Sequence, residues 1–248
     1  MIKTIKTMSK QEKERYTVPR KVQDVIPVRR IWPDGIFLVG NKFSKTYKFS
    51  DINYLVASRE DKESMFLTYS ELLNSLDSGA VTKITINNRR MNQANFETSI
   101  LMPMQGDFRD EYRGEYNQML LDKATGANGI MQEKYITISV VKKDIEEARA
   151  YFSRVGADLI SHFAALGSKC VELDATERLR ILHDFYRQGE EAEFRFNARE
   201  MMKRGHDFRD YICPDGIEKN SDYLKLGDKF CRVLFLKDYA SYIKDSMV

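Results

Sequence analysis

Gly40-Asn41-Lys42-Phe43-Ser44-Lys45, running on through Tyr47 and Phe49 to Asp51, decides the fold, because the chain carries a second version of it. Near the end, Gly227-Asp228-Lys229-Phe230-Cys231-Arg232 continues through Leu234 and Leu236 to Asp238. Glycine, lysine, phenylalanine and aspartate recur at the same offsets, and Arg232 matches Lys45. Each copy follows a Pro-Asp-Gly-Ile turn, Pro33 to Ile36 and Pro214 to Ile217. In such a turn proline presets φ and glycine accepts a positive φ. Phe43, Lys45, Tyr47 and Phe49 alternate with Lys42, Ser44, Thr46 and Lys48, the period of a strand with one wet face. In the second copy Cys231, Val233 and Phe235 make the other side apolar as well. That pattern predicts a strand covered on both faces. The first copy is therefore expected near a sheet edge and the second deep inside a sheet.

Outward from these two hairpin-like units, Val22 to Ile31 reads as a strand with an edge or bulge at Pro27. Ser58, with Asp61 three residues on, predicts a helix start. Met65, Phe66, Tyr69, Leu72, Leu73 and Leu76 form its apolar face, and Gly79 its end. Thr82, Ile84 and Ile86 alternate as a strand. Phe108, Tyr112, Tyr116, Met119 and Leu120 share a helical face, and Tyr135 to Val141 is a strand. The strongest helical periodicity runs from Ile145 to Leu166. A short apolar piece at Cys170 and Val171 precedes a helix bearing Leu179, Leu182, Phe185 and Tyr186. A more polar helix is expected from Glu190 to Lys203, and Tyr239 to Met247 reads as the start of a helix or as the point where a longer protein was cut. The fold class that follows is α+β: a mixed, largely antiparallel sheet from two echoed hairpins bracketing a helical middle. No linker rich in Pro, Gly or Ser divides the chain. One module over residues 21–248 is expected behind a basic, poorly ordered arm over residues 1–20.

The totals exclude several classes. A chain of 248 residues can bury a sizeable core. No apolar run approaches the ~18–20 residues of a membrane helix. Cys170, Cys213 and Cys231 form neither a CxxC pair nor a disulfide framework, as suits a reducing cytoplasm. The net charge of +3 is uneven: residues 1–30 hold nine Lys and Arg against Glu12, Glu14 and Asp24, so the rest of the chain is acidic. Lys3, Lys6, Lys10, Lys13, Arg15, Arg20 and Lys21 form a basic arm suited to an anionic membrane face. The acidic body disfavours a dedicated nucleic-acid surface.

No catalytic, metal-binding or cofactor-binding residue set emerges. Gly40 to Thr46 ends like a phosphate loop, but one position is missing and Ser44 stands where the second glycine belongs. His162, His183 and His206 lie roughly twenty residues apart, with no ligand partner at metal spacing. Glu190, Glu191 and Glu193 read as a solvated helix start. Lys45 and Arg232, on otherwise apolar strand faces, are expected to snorkel or to pair with an acid. Ile100, Leu101, Met102 and Met104 close a stretch without clear period. Adaptable methionines in such a stretch suit a partner surface.

Several phrases together carry a family resemblance. They are Asp34-Gly35-Ile36; Tyr47-Lys48-Phe49-Ser50-Asp51-Ile52-Asn53-Tyr54; Leu72-Leu73-Asn74; Tyr135-Ile136-Thr137-Ile138; Leu182-His183-Asp184-Phe185-Tyr186-Arg187; and the close from Gly227 to Tyr239. Over roughly residues 22 to 245 the chain resembles the N-terminal region of conjugal-transfer ATPases of type IV secretion systems, the VirB/TraE/TrbE class, in versions carried by integrative elements of Gram-positive bacteria. The resemblance implies a non-catalytic assembly and docking module, with the Walker motifs on a motor domain beyond these residues and no cofactor held here. It implies contact with inner-membrane subunits of a conjugation channel, self-association in the full-length motor, and a place at the inner face of the cell membrane. A nucleic-acid-binding module of a conjugation element is the alternative.

Overall fold

A computed structural model describes residues 19–52, 54, 56–90, 101–126 and 130–238. The fold is α+β, with antiparallel sheets and helices between strand groups. Where the sequence predicts one module over 21–248, the chain groups into two compact units. Pro27–Ile212 forms one; Met1–Ile26 with Cys213–Val248 forms the other.

The larger unit begins with β1 (Val28–Ile31), β2 (Phe37–Val39) and β3 (Lys42–Phe49). α1 (Arg59–Asn74), β4 (Val81–Arg90), α2 (Asp110–Gly126) and β5 (Ile130–Val140) follow. α3 (Ile145–Ala165), β6 (Cys170–Glu172), α4 (Ala175–Tyr186) and α5 (Ala198–Arg204) complete it. The sheet order is β1-β2-β3-β5-β4, with β6 also paired to β3 and every pairing antiparallel. Residues 22–25 are a 3-10 turn, and the strand begins only after Pro27, with a register shift between Val28 and Arg30.

β3 is the centre of this sheet and not an edge. β5 lies along one side of it, while β2 and then β6 share the other. Both of its faces are covered. Phe43, Tyr47, Ile136, Ile138 and Val140 meet Ala148, Phe152, Val155 and Leu159 of α3 and Leu72 of α1 in one core. Phe49 stacks on Phe163 at 4.8 Å between centroids. The middle of the expected wet face is buried, because Ser44 and Thr46 find partners inside the protein, while Lys42 at its start is exposed and Lys48 is half-buried. Ser44 Oγ accepts from Arg178 of α4 at 3.1 Å, and Thr46 and Thr137 hydroxyls meet at 2.9 Å. Lys45 pairs with Glu172 at 2.5 Å, as expected of a cation on an apolar face.

Arg178 ties α4 to the first hairpin. Its Nη1 donates to the carbonyls of Gly35 and Ser44, each at 2.7 Å, and its guanidinium lies 4.0 Å from the Phe37 ring centroid. Burial pushes this group down to about 9, still protonated at neutral pH. Gly35 takes the positive φ that its turn demands, 77°.

The helix starts follow their caps. Ser58 accepts from the Asp61 amide, Asp144 from Glu147, and Asp174 with Glu177 closes a capping box. α1 stops at Asn74, ahead of Gly79. Only Leu72 of its predicted face is buried, while Phe66, Tyr69 and Leu73 are exposed. The helix expected from Glu190 to Lys203 is a 3-10 turn, Glu191–Glu193, followed by the short α5.

In the smaller unit, β7 (Ile217–Lys219), β8 (Leu224–Leu226) and β9 (Lys229–Cys231) form an antiparallel sheet in that order. Gly227 and Asp228 make a two-residue hairpin turn, as Gly40 and Asn41 do in the larger unit. Their glycine φ values are 56° and 62°. The echo is therefore structural, but the expected burial is reversed. β9 ends at Cys231, and Val233 to Leu236 are exposed. The pattern of apolar residues on both sides does not create the second layer that would cover it. The region from Tyr239 to Met247 lies outside the described residues.

Candidate protein-docking surface

Residues 101–120 gather the most distinctive exposed chemistry of the larger unit. α2 begins with Asp110 and Glu111, acids suited to the positive end of a helix. The Asp110 carboxylate also accepts from the amides of Gln105 and Gly106, at 3.0 and 2.7 Å. Gly106 turns the chain with a φ of 76°. One turn into the helix, Arg113 draws the approach segment together. Its Nη1 donates to Asp107 and Asp110, each at 2.5 Å, and its Nη2 to Asp107 Oδ2 at 3.1 Å and Gln105 Oε1 at 3.2 Å. The Arg113 hydrogen bond holds the Asp107 carboxyl below its ordinary range; the Gln105 amide, then Arg113, does the same for Asp110. The hydrogen bonds that Arg113 donates to Asp107 and Asp110 in turn raise its guanidinium. A carboxylate with a depressed pKa keeps its charged partner above the ordinary carboxylate range and loses it as pH falls. The clasp is thus closed at neutral pH.

A second clamp lies one turn further on. The buried Asn117 side chain accepts from the Met102 amide at 2.8 Å and donates to the Met102 carbonyl at 2.9 Å. With both backbone groups satisfied, the Met102 side chain is free to face outward. The Met104 methyl packs over Gly114, 3.7 Å from where a Cβ on that residue would stand, an ordinary contact distance.

Met102 and Met104 are exposed, and Leu101 is half-buried; Ile100 lies outside the described residues. Around the two methionines stand residues that the helical period assigns to a core face. Phe108 is 82% exposed and Tyr112 68%, and Tyr116 and Met119 are also exposed. Phe108 lies in the turn ahead of α2, and the spacing of Tyr112, Tyr116 and Met119 puts them on one side of the helix; among the described residues no element packs over that side. Met102, Phe108, Arg109, Tyr112, Arg113 and Tyr116 line an open groove of about 410 Å³. The Arg109 guanidinium lies 5.3 Å from the Phe108 centroid. Rigid rings, adaptable thioethers and arginine are what protein interfaces concentrate at their centres. Isolated exposed apolar residues are ordinary, whereas a contiguous patch marks a contact site.

The other sequence candidates are scattered. Lys3, Lys6, Lys10, Lys13 and Arg15 lie outside the described residues; Arg20 and Lys21 are exposed ahead of the 3-10 turn. Gly40 to Thr46 is a hairpin turn running into β3 and opens no helix. His162 Nδ1 lies 2.8 Å from the Asp158 carbonyl, His183 is buried against Phe194, and His206 lies 3.5 Å from Asp210. Among the described residues no cluster of three His, Cys, Asp or Glu could hold a metal ion. Nor does any described helix have the length and apolarity to cross a membrane. No known family model matches the chain, and no protein of curated function matches it in sequence.

Proposed function

We propose that the chain is an assembly and docking module of a type IV secretion conjugation ATPase, non-catalytic in itself, which engages inner-membrane subunits of the conjugation channel. The family assignment rests on the resemblance of the phrases between Val22 and Tyr239. The docking role rests on one observation: Met102, Met104, Phe108 and Tyr112 are exposed together on a segment fastened to α2 by Arg113 and Asn117. A core in need of cover would not have its exposed rim fixed by two side-chain clamps. A binding surface gains from that, because a rim already in place loses little freedom on association.

The test is capture of detergent-solubilised channel subunits by the full chain. Replacing both Met102 and Met104 with Asp puts charge into the interface while leaving both clamps intact. Capture is expected to fall at least about tenfold, the cost of burying an unpaired charge. Unchanged capture would remove this surface from the proposal. Capture that fails even for the wild-type chain would remove the family assignment.

A further inference from the structure

We infer that the second hairpin receives one added antiparallel strand from a partner polypeptide, an apolar segment with a carboxylate placed to meet Arg232. The two copies of the hairpin supply the comparison. Both turn through two residues, with Val39 opposite Lys42 in one and Leu226 opposite Lys229 in the other. In the first copy the outgoing strand continues for eight residues with neighbours on both sides. In the second it is paired for three residues, with β8 alone among the described residues. Val233, Leu234, Phe235 and Leu236 then run on between 68% and 83% exposed. Their counterparts, Thr46 to Phe49, are the middle and end of a buried strand.

The charge at matching positions specifies the partner. Lys45 is neutralised by Glu172, which β6 carries opposite Tyr47. Arg232 occupies the place of Lys45, and its guanidinium donates to the Asp222 carbonyl at 3.2 Å; no described carboxylate pairs with it. A strand seated beside residues 232–236 with an acid opposite Leu234 would repeat the Lys45–Glu172 arrangement. Strand addition supplies affinity through main-chain hydrogen bonds, and the side-chain pair supplies selection. The added strand pairs the open backbone edge, of the kind that soluble proteins protect, and sets its own side chains beside those of residues 233–236 on each face.

The probe is a peptide copying residues 168–174, which contain β6, and a second peptide with Lys in place of Glu172. Hydrogen exchange of the full chain under reducing conditions reads the amides of residues 232–236. These are expected to exchange rapidly in the free chain and to slow with the glutamate peptide. The lysine peptide is expected to bind about tenfold more weakly, and Arg232→Glu to reverse the order, as facing charges require. Amides already protected in the free chain, no slowing with either peptide, or equal binding of both peptides to the wild-type chain would each overturn the inference. The docking surface on α2 is unaffected by any of these results.

Discussion

Gly35 sits where two constraints meet. Its φ of 77° already disfavours a side chain, and a Cβ there would stand 2.0 Å from the Leu173 carbonyl oxygen. Gly40 has a similar φ, 62°, with open space around it. The pair separates conformational cost from steric cost. Gly40→Ala is expected to lose about 1 kcal/mol, the left-handed penalty alone. Gly35→Ala is expected to lose about 3 kcal/mol or more, because backbone must move. Urea unfolding midpoints of the two variants decide this, and equal losses would contradict the close approach. The turn at Gly35 is legible in the sequence from Pro-Asp-Gly, but its positive φ is not fixed by the tripeptide, since Gly216 in the second Pro-Asp-Gly does not share it. Leu173 is not legible, because its approach depends on β6 docking against β3 from more than a hundred residues away. Met102 and Met104 stand out in the sequence too, and their exposure is what the structure adds. Their adaptability and lack of period marked them, whereas Asn117 and Arg113, which hold the segment, look like ordinary helix polars.

β3 shows what periodicity can and cannot decide for an element. Alternation identifies the strand, and the turn at Gly40-Asn41 fixes its partner. Its depth in the sheet depends on whether its polar side chains meet water or other side chains, and the pattern is the same either way. α2 presents the converse: a helical stripe of rings and methionines that reads as core and faces outward. Arg178 decides the matter for β3 by supplying donors to Ser44 and Gly35 from α4. Arg178→Ala is expected to cost about 3 kcal/mol, since it strands buried acceptors as well as removing the packing on Phe37. Arg59→Ala, at an exposed cation paired with Glu63 along α1, is expected to cost under about 0.5 kcal/mol. Thermal or chemical unfolding of the two variants measures the contrast. A loss at position 178 as small as that at 59 would show that α4 is held by something else.

Across the whole molecule, charge is divided between an N-terminal basic stretch and an acidic remainder. If the arm sits on a membrane face, vesicle binding is expected to rise with anionic lipid and to fall as added salt shortens the screening length. Sedimentation with vesicles of neutral and anionic composition tests this, and binding indifferent to both variables would exclude the arm. The α+β class was legible at this scale because turns and periods are local properties. The grouping into two units was not, since it reflects which distant segments meet. The fastening of residues 101–110 onto α2 has a kinetic consequence for anything that docks there. A landing site shaped in advance leaves the folding, if any is needed, to the visitor. Encounter rates at this site should then depend little on the module's own rearrangement, and the lifetime of the complex should carry most of the difference between good and poor ligands.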